Sequence, residues 1–482
     1  SYVKLATARA LLENGSLAIP GHGKLTAISP ADGRTYSKFE VLHSLLFLPA
    51  TAAGKLLVEA GLLPPERRGL ADAAFAGLLG PLSATAAVVL FFLWARRIFR
   101  SETGALRAAL VLGTATLLWP YAKRGWTEMP QTAFLLGSVL LLERARARGS
   151  GGQALAAGLL LGGAIALRVT GVVLLPVLAL PLLFRWERPP LLRRALLYAA
   201  GILLAVLPLV LGANLVRFGS PFSLFAWRAG GFSANFAVGL AGLLASPGES
   251  LFLYSPVLLV ALPLLPRLRF VDRGAFLVAL LAPIALLFLY APWWFHAYTW
   301  GPRFLLPAIP FLALPLAHPA AWRKPLRSIL AALLVLSVLL QVLGVLLHVG
   351  DLPDLEKPLV RHGLLPPDRP LTREDTWFHP LRTRPAAHLL LAGECAEALL
   401  RGEKAPIEPD LWPFVLRDTL GVPLRWSAPI EAALLLLAAA GMIRLVGKAR
   451  EESVTGLPPA PTPPASGERE AVDHPIVFDK NL

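Results

Sequence analysis

Arginine marks every second gap between the long apolar runs of this chain. The runs cover 72–95, 105–122, 128–143, 153–168, 169–184, 194–216, 252–266, 274–291, 303–318, 327–349 and 428–447. Most approach the roughly 20 residues a helix needs to cross a hydrocarbon core, and charge or proline bounds the shorter ones. Short loops rich in Lys and Arg stay on the cytoplasmic side. Gaps carrying Arg96, Arg97 and Arg100, then Arg144, Arg146 and Arg148, then Arg185, Arg188, Arg193 and Arg194 are therefore expected inside. The same holds for Arg267, Arg269 and Arg273, and for Arg323, Lys324 and Arg327. In the intervening gaps the basic residues thin to Lys123, Arg124, Arg168, Arg217, Arg228 and Arg303. Alternation of this kind predicts an all-α polytopic membrane protein with about 11 transmembrane helices between residues 72 and 447.

Composition agrees with that class: of 482 residues, 55% are hydrophobic and 16% charged. The net charge of +15 is mostly loop arginine that sets topology. No compact basic domain with interleaved aromatics accompanies it, so nucleic acid is not an expected partner. A single cysteine, Cys395, cannot form an internal disulfide. The Ala, Leu, Arg and Pro bias points to a bacterial cytoplasmic (inner) membrane. On this topology Ser1 starts outside the membrane, which leads us to expect a further transmembrane helix ahead of it.

Five regions follow. Residues 1–71 read as an outward juxtamembrane region, with a short amphipathic helix from Tyr2 to Asn14 closed by Gly15. A polar loop follows, with Gly, Pro and Asp at 20–34. Residues 39–61 are apolar but interrupted by Glu40, His43, Pro49, Lys55 and Glu59, which predicts a helix lying in the interface or partly re-entrant and not spanning the membrane. The transmembrane core is 72–349, with a long outward loop at 217–251. An outward cap segment occupies 350–427, the last span 428–447, and a Pro-, Glu- and Ser-rich disordered cytoplasmic tail 448–482.

Charged groups at membrane depth are costly and default to a functional reading. Glu128, in Arg124-Gly125-Trp126-Thr127-Glu128-Met129-Pro130, begins an apolar helix on the outward side. An acid there also suits the helix dipole, so a capping role stands beside a catalytic one. Arg168 falls between two runs joined with almost no loop, where snorkelling to headgroups is the bland alternative. Arg303 follows the aromatic run Trp293, Trp294, Phe295, His296 and Tyr298. With Lys38, these cations make a pocket for a lipid phosphate, because arginine gives forked contacts to phosphate oxygens and lysine a compact charge. Glu128 beside them is placed to deprotonate an incoming hydroxyl or to hold a metal. A polyprenyl-phosphate sugar presents its groups at this depth: tail in lipid, phosphate at the interface, sugar outside.

The same motifs resemble the polytopic glycosyltransferases of the C superfamily, especially relatives of the protein O-mannosyltransferases and the lipid A aminoarabinose transferase. Residues Ser1 to Gly15 look like the family's juxtamembrane helix, and the resemblance places its first catalytic acid just upstream of Ser1. Tyr36-Ser37-Lys38-Phe39-Glu40 resembles the family's Tyr-x-Lys-Pro-Pro turn without the prolines. Glu128 matches the second acidic position and Arg168-Val169-Thr170-Gly171 the basic residue-plus-glycine motif. Trp300 to Pro307 is similar to the Arg-Tyr-x-x-Pro segment, with Phe304 in place of tyrosine. Phe218-Gly219-Ser220-Pro221, Ser246-Pro247-Gly248 and Tyr254-Ser255-Pro256 resemble loops of bacterial members.

The expected function is thus sugar transfer from a polyprenyl-phosphate donor to a glycan, lipid or protein acceptor on the outer face. Glu128 is the expected catalytic acid, and Lys38, Arg168 and Arg303 the donor-phosphate residues. His296 and Tyr298 are candidate acceptor or metal contacts, with a divalent metal ion left open as cofactor. Two other classes stay in view: a non-catalytic accessory subunit of the same fold, and a transporter of lipid-linked glycans.

Overall fold

The computed structural model describes residues 2–21, 23, 25–123, 125–180, 188–223, 234–296, 299–347 and 352–403, with scattered positions between 406 and 440. The expected tail 448–482 and most of the expected span 428–447 lie outside the described residues. Helix dominates, as the sequence predicts, and among the described residues five helical stretches are long and apolar enough to cross a membrane: Val41–Glu59, Pro65–Phe99, Leu191–Phe218, Arg273–Trp293 and Leu326–Leu346.

Two differences from the sequence expectation have clear causes. Residues Val41–Glu59 qualify as a span by length and composition, whereas their polar residues argue for an interfacial helix. Here the polar groups are paired off: His43 is buried against Lys4 and Thr127, and Lys55 and Glu59 pair near the end of the stretch. The second difference concerns the expected spans 252–266 and 303–318, which are not continuous helices. Residues 303–317 run as a 3-10 turn Arg303–Ala308, a short α-helix Ile309–Ala313 and another 3-10 turn Leu314–Ala317. Pro307, Pro310 and Pro315 each lack an N–H and interrupt the i→i−4 ladder. Leu305, Leu306, Ile309, Phe311 and Leu314 are all fully buried, so this segment forms the centre of the core. The expected count of about 11 transmembrane helices includes the span 428–447, most of which lies outside the described residues.

The polar loop at 20–34 also contains structure the sequence does not announce. Thr26–Ile28 and Thr35–Ser37 pair antiparallel, with Thr26 opposite Ser37, in a ribbon too short for a periodic signal.

Three helices set up the site. Glu128–Arg148 ends at Gly149 in the left-handed region (φ 67), where glycine carries no steric cost. Ser150 then caps the next helix, its side chain accepting from Gln153 N, and Gly151–Leu167 runs back along the first. This reversal returns the chain to the level of Glu128 at Arg168. Gly151–Leu167 also packs tightly on Arg188–Val206, where Gly158, Gly162 and Gly201 let the two backbones touch.

The expected juxtamembrane helix is present as Tyr2–Asn14, followed by Gly15 at φ 60. Arg9 ties it to the bundle by donating Nε to the fully buried Asp72 over 3.0 Å. Residues 352–403 form a helical cap around their own small core of Leu355, Leu359, Leu365, Leu371, Ala387 and Leu391. Thr372 and Asp375 close a capping box at its middle helix, Arg373–Phe378.

Candidate active site

Glu128 opens its helix and is only 1% exposed. Arg168 Nη1 donates to Glu128 Oε1 over 2.7 Å. Arg303 Nε stands 3.1 Å from the same oxygen, an ion pair without hydrogen-bond alignment. Two guanidiniums thus converge on one carboxylate oxygen, while Oε2 is buried without a hydrogen-bond partner. An orphaned buried acceptor is costly, and in a native site it calls for an explanation such as a ligand or a proton.

Arg168 is fixed from several sides. Its Nε donates to Tyr290 Oη (3.0 Å) and to Thr170 Oγ1 (3.2 Å), and those two hydroxyls lie 2.6 Å apart. Its guanidinium lies over the Phe304 ring at 4.2 Å. Arg303 covers the rings of Trp126 at 4.1 Å and Phe304 at 4.6 Å. Tyr290, Phe304 and Trp293 stack, with Phe304 centroids 5.0 Å from Tyr290 and 4.9 Å from Trp293. Phe304 therefore serves both arginines, and an apolar wall stands behind two cations.

Local chain geometry delivers these side chains. Trp300-Gly301-Pro302 turns sharply at Gly301 (φ 66), where a Cβ would stand 2.7 Å from the Tyr254 ring. Tyr121 Oη donates to Trp300 O over 3.0 Å and pins that turn. On the other strand of the site, Val169 N donates to Glu40 Oε1 (3.3 Å), joining the Arg168 turn to the strap that follows the short ribbon. Buried Arg217 clamps that strap by donating Nη1 to Ser37 O and Phe39 O.

Of the residues expected from sequence, Glu128, Arg168 and Arg303 come together. Lys38 sits in the strap between Ser37 and Phe39, its backbone N–H bonded to Leu25 O. A lysine the sequence reading did not single out, Lys4, acts on Glu128 together with Arg303 and Arg168. Lys4 is 6% exposed, donates to Thr127 Oγ1 at 2.5 Å, lies 3.0 Å from His43 Nδ1, and covers the Phe39 ring. Sequence reasoning passed over it because its partners are 39 and 123 residues away, and nothing local to an amphipathic helix marks one lysine as buried. Tyr298 and the His296 side chain lie outside the described residues. Among the described residues, no three His, Cys, Asp or Glu side chains gather as a metal-holding set.

Burial pulls the Lys4 ammonium down to about 8, against the opposing fields of Glu128 and Glu40. Two consequences follow with opposite signs. The unfolded chain keeps its lysine proton up to about 10.5, so between pH 8 and 10.5 the unfolded state binds more protons and native stability rises with pH. Over the same window the site loses a positive charge, and affinity for an anion falls. Thermal melts and polyprenyl phosphate binding from pH 7 to 10 check both, with Lys4→Met expected to flatten each profile.

The geometry defines a class first: a polytopic helical membrane protein with a buried carboxylate held by arginines against an aromatic wall. The family model described as dolichyl-phosphate-mannose-protein mannosyltransferase matches residues 75–211, a stretch that includes Glu128 and Arg168. The chain thus resembles the C-superfamily membrane glycosyltransferases that its motifs pointed to. No curated protein matches it. Among solved structures it is similar to ArnT from Cupriavidus metallidurans in the apo state, at 18% identity and TM-score 0.44, covering 69% of this chain and 56% of that one. For the same protein bound to undecaprenyl phosphate the identity is 17% and the TM-score 0.46, covering 82% and 74%. For the Archaeoglobus fulgidus oligosaccharyltransferase in complex with Zn and sulfate the values are 14% and 0.42, covering 76% and 51%. The chain spans just over half the length of the first of these, 56%.

Proposed function

We propose that this protein transfers a sugar from a polyprenyl-phosphate donor to a hydroxyl acceptor at the outer face of a bacterial cytoplasmic membrane. The observation that carries the reading is Glu128: a buried carboxylate with one oxygen shared by Arg168 and Arg303 and the other without a partner. In the proposed reaction the acceptor hydroxyl oxygen attacks the sugar C1 and the C1–O bond to phosphate breaks. Glu128 takes the hydroxyl proton through Oε2. The lipid phosphate leaves with the bonding pair, and Arg168 and Arg303 meet the charge that develops on it. The Tyr290–Phe304–Trp293 stack backs the two arginines with an apolar wall. Lys4 adds a third cation, and the strap bearing Lys38 borders the same region. Alternating loop arginine supports placing this end of the bundle outside, and the description of the matched family supports a lipid-phosphate sugar as donor.

The test is donor turnover by the purified full chain in lipid, read as release of free polyprenyl phosphate from a labelled polyprenyl-phosphate hexose. Arg303→Ala is expected to raise the donor KM far more than it lowers kcat, with donor binding weakened by about 2–5 kcal/mol for a buried charge contact. Donor affinity equal to that of the unaltered protein would remove Arg303 from the phosphate site. A chain that binds the donor but never releases lipid phosphate would favour a non-catalytic role.

A further inference from the structure

The end of the bundle opposite the candidate active site carries arginines that the proposed reaction does not use. Helix Arg273–Tyr290 marks the two ends: Tyr290 bonds Arg168 at one, and Asp272 caps the other by accepting from Ala275 N over 2.9 Å. Its 18 residues rise roughly 27 Å at about 1.5 Å each, close to the thickness of a hydrocarbon core. Asp272 Oδ2 also accepts from Arg146 Nη2 over 2.9 Å, in the last turn of the helix that Glu128 opens. Both helices thus run from the site to this far boundary.

Where Leu265–Val271 turns into Arg273–Tyr290, a surface cavity of about 400 Å³ is lined by Arg269, Phe270, Arg273, Phe276 and Leu277. Its lining holds two guanidiniums and no carboxylate. Asp272, the one acid in residues 265–277, is committed to Arg146 and to its cap. Arg269 and Arg273 are both exposed, so a ligand can reach them. Phe270 is 77% exposed, its ring centroid 4.5 Å from the Arg269 guanidinium, while Phe276 and Leu277 are half-buried. An aromatic ring so exposed is costly in water and at home beside acyl chains at a membrane boundary.

We propose that this cavity binds an anionic glycerophospholipid, its phosphate between Arg269 and Arg273 and its acyl chains against Phe270, Phe276 and Leu277. Guanidinium gives forked, charge-assisted contacts to phosphate oxygens. Basic pockets at the ends of membrane spans hold anionic headgroups by this chemistry. A soluble anion uses the arginines alone and leaves Phe270 in water, whereas a lipid satisfies both halves of the lining. A zwitterionic headgroup brings its own ammonium against the two arginines and binds more weakly. Neither arginine takes part in the proposed sugar transfer.

Native mass spectrometry of the full chain from detergent, titrated with phosphatidylglycerol or with phosphatidylcholine of the same acyl chains, reads lipid occupancy without any sugar donor. Phosphatidylglycerol is expected to bind the more tightly. The pair Arg269→Gln and Arg273→Gln is expected to weaken it about thirtyfold. The control pair Arg96→Gln and Arg267→Gln removes the same charge from exposed positions at the same end, where neighbouring Arg97 bonds Glu143 O, and is expected to change it less than about threefold. Phe270→Ala is expected to weaken phosphatidylglycerol several-fold with no loss of charge. Equal affinity for the two lipids overturns the proposal, and so does an equal loss in both arginine pairs, which would mean a diffuse field and no site. Displacement of the lipid by acyl-free glycerophosphoglycerol at matching affinity, with Phe270→Ala silent, would make the cavity a soluble-anion site and also overturn it.

Discussion

Glu128→Gln is expected to reduce sugar transfer by about 10²–10⁴-fold, the usual contribution of a general base, with donor binding largely kept. Glutamine has the same shape, so Arg168 and Arg303 still meet an oxygen at the helix start. Arg168 retains Tyr290, Thr170 and the Phe304 face, and Arg303 retains Trp126 and Phe304. What is lost is ionisation, and with it the capacity to accept a proton at Oε2. Single-turnover release of lipid phosphate, set beside a thermal melt, separates the two effects. Turnover within a few-fold of the unaltered protein would remove Glu128 as the base. A collapsed melt would mean that its charge is chiefly structural.

Gly201→Val should be at least as damaging, by a different route. A Cβ at Gly201 would stand 2.2 Å from Leu155 O and 2.7 Å from Leu159 N, and one at Gly158 would stand 2.0 Å from Tyr198 O. The obstacle in each case is backbone, which cannot rotate away as a flexible side chain would. Overpacking typically costs about 1–3 kcal/mol where neighbours can yield, and here the two helices must part along their contact. Gly151–Leu167 ends at Arg168, so displacing it also pulls Arg168 from Glu128. The expected result is a large drop in melting temperature together with lost donor binding. A native melt for Gly201→Val would show that the helices separate at little cost and that close backbone contact does not fix the site.

Much of this was legible in the chain. Apolar runs and loop arginine predict a helical membrane protein, because lipid leaves few ways to satisfy a backbone. Glu128, Arg168 and Arg303 stand out because a charge inside apolar sequence is costly enough to demand a reason. The helix Tyr2–Asn14 and its stop at Gly15 follow from local capping rules. Signals of this kind are one-dimensional, and they survive without a fold.

Tertiary structure alone decided the rest. Whether a proline-punctuated run such as 303–318 faces lipid or forms the core depends on which neighbours cover it, and hydropathy reads the same in both places. That Lys4 is buried against Thr127 and His43 depends on segments 39 and 123 residues away, which no local pattern in an amphipathic helix reveals. Nothing in the loop sequence marks Glu249 as buried; the seating of Gly248 on Trp377 of the cap leaves it 1% exposed. Local sequence determines which residues are costly to bury; packing between distant segments determines which charges meet and so share that cost.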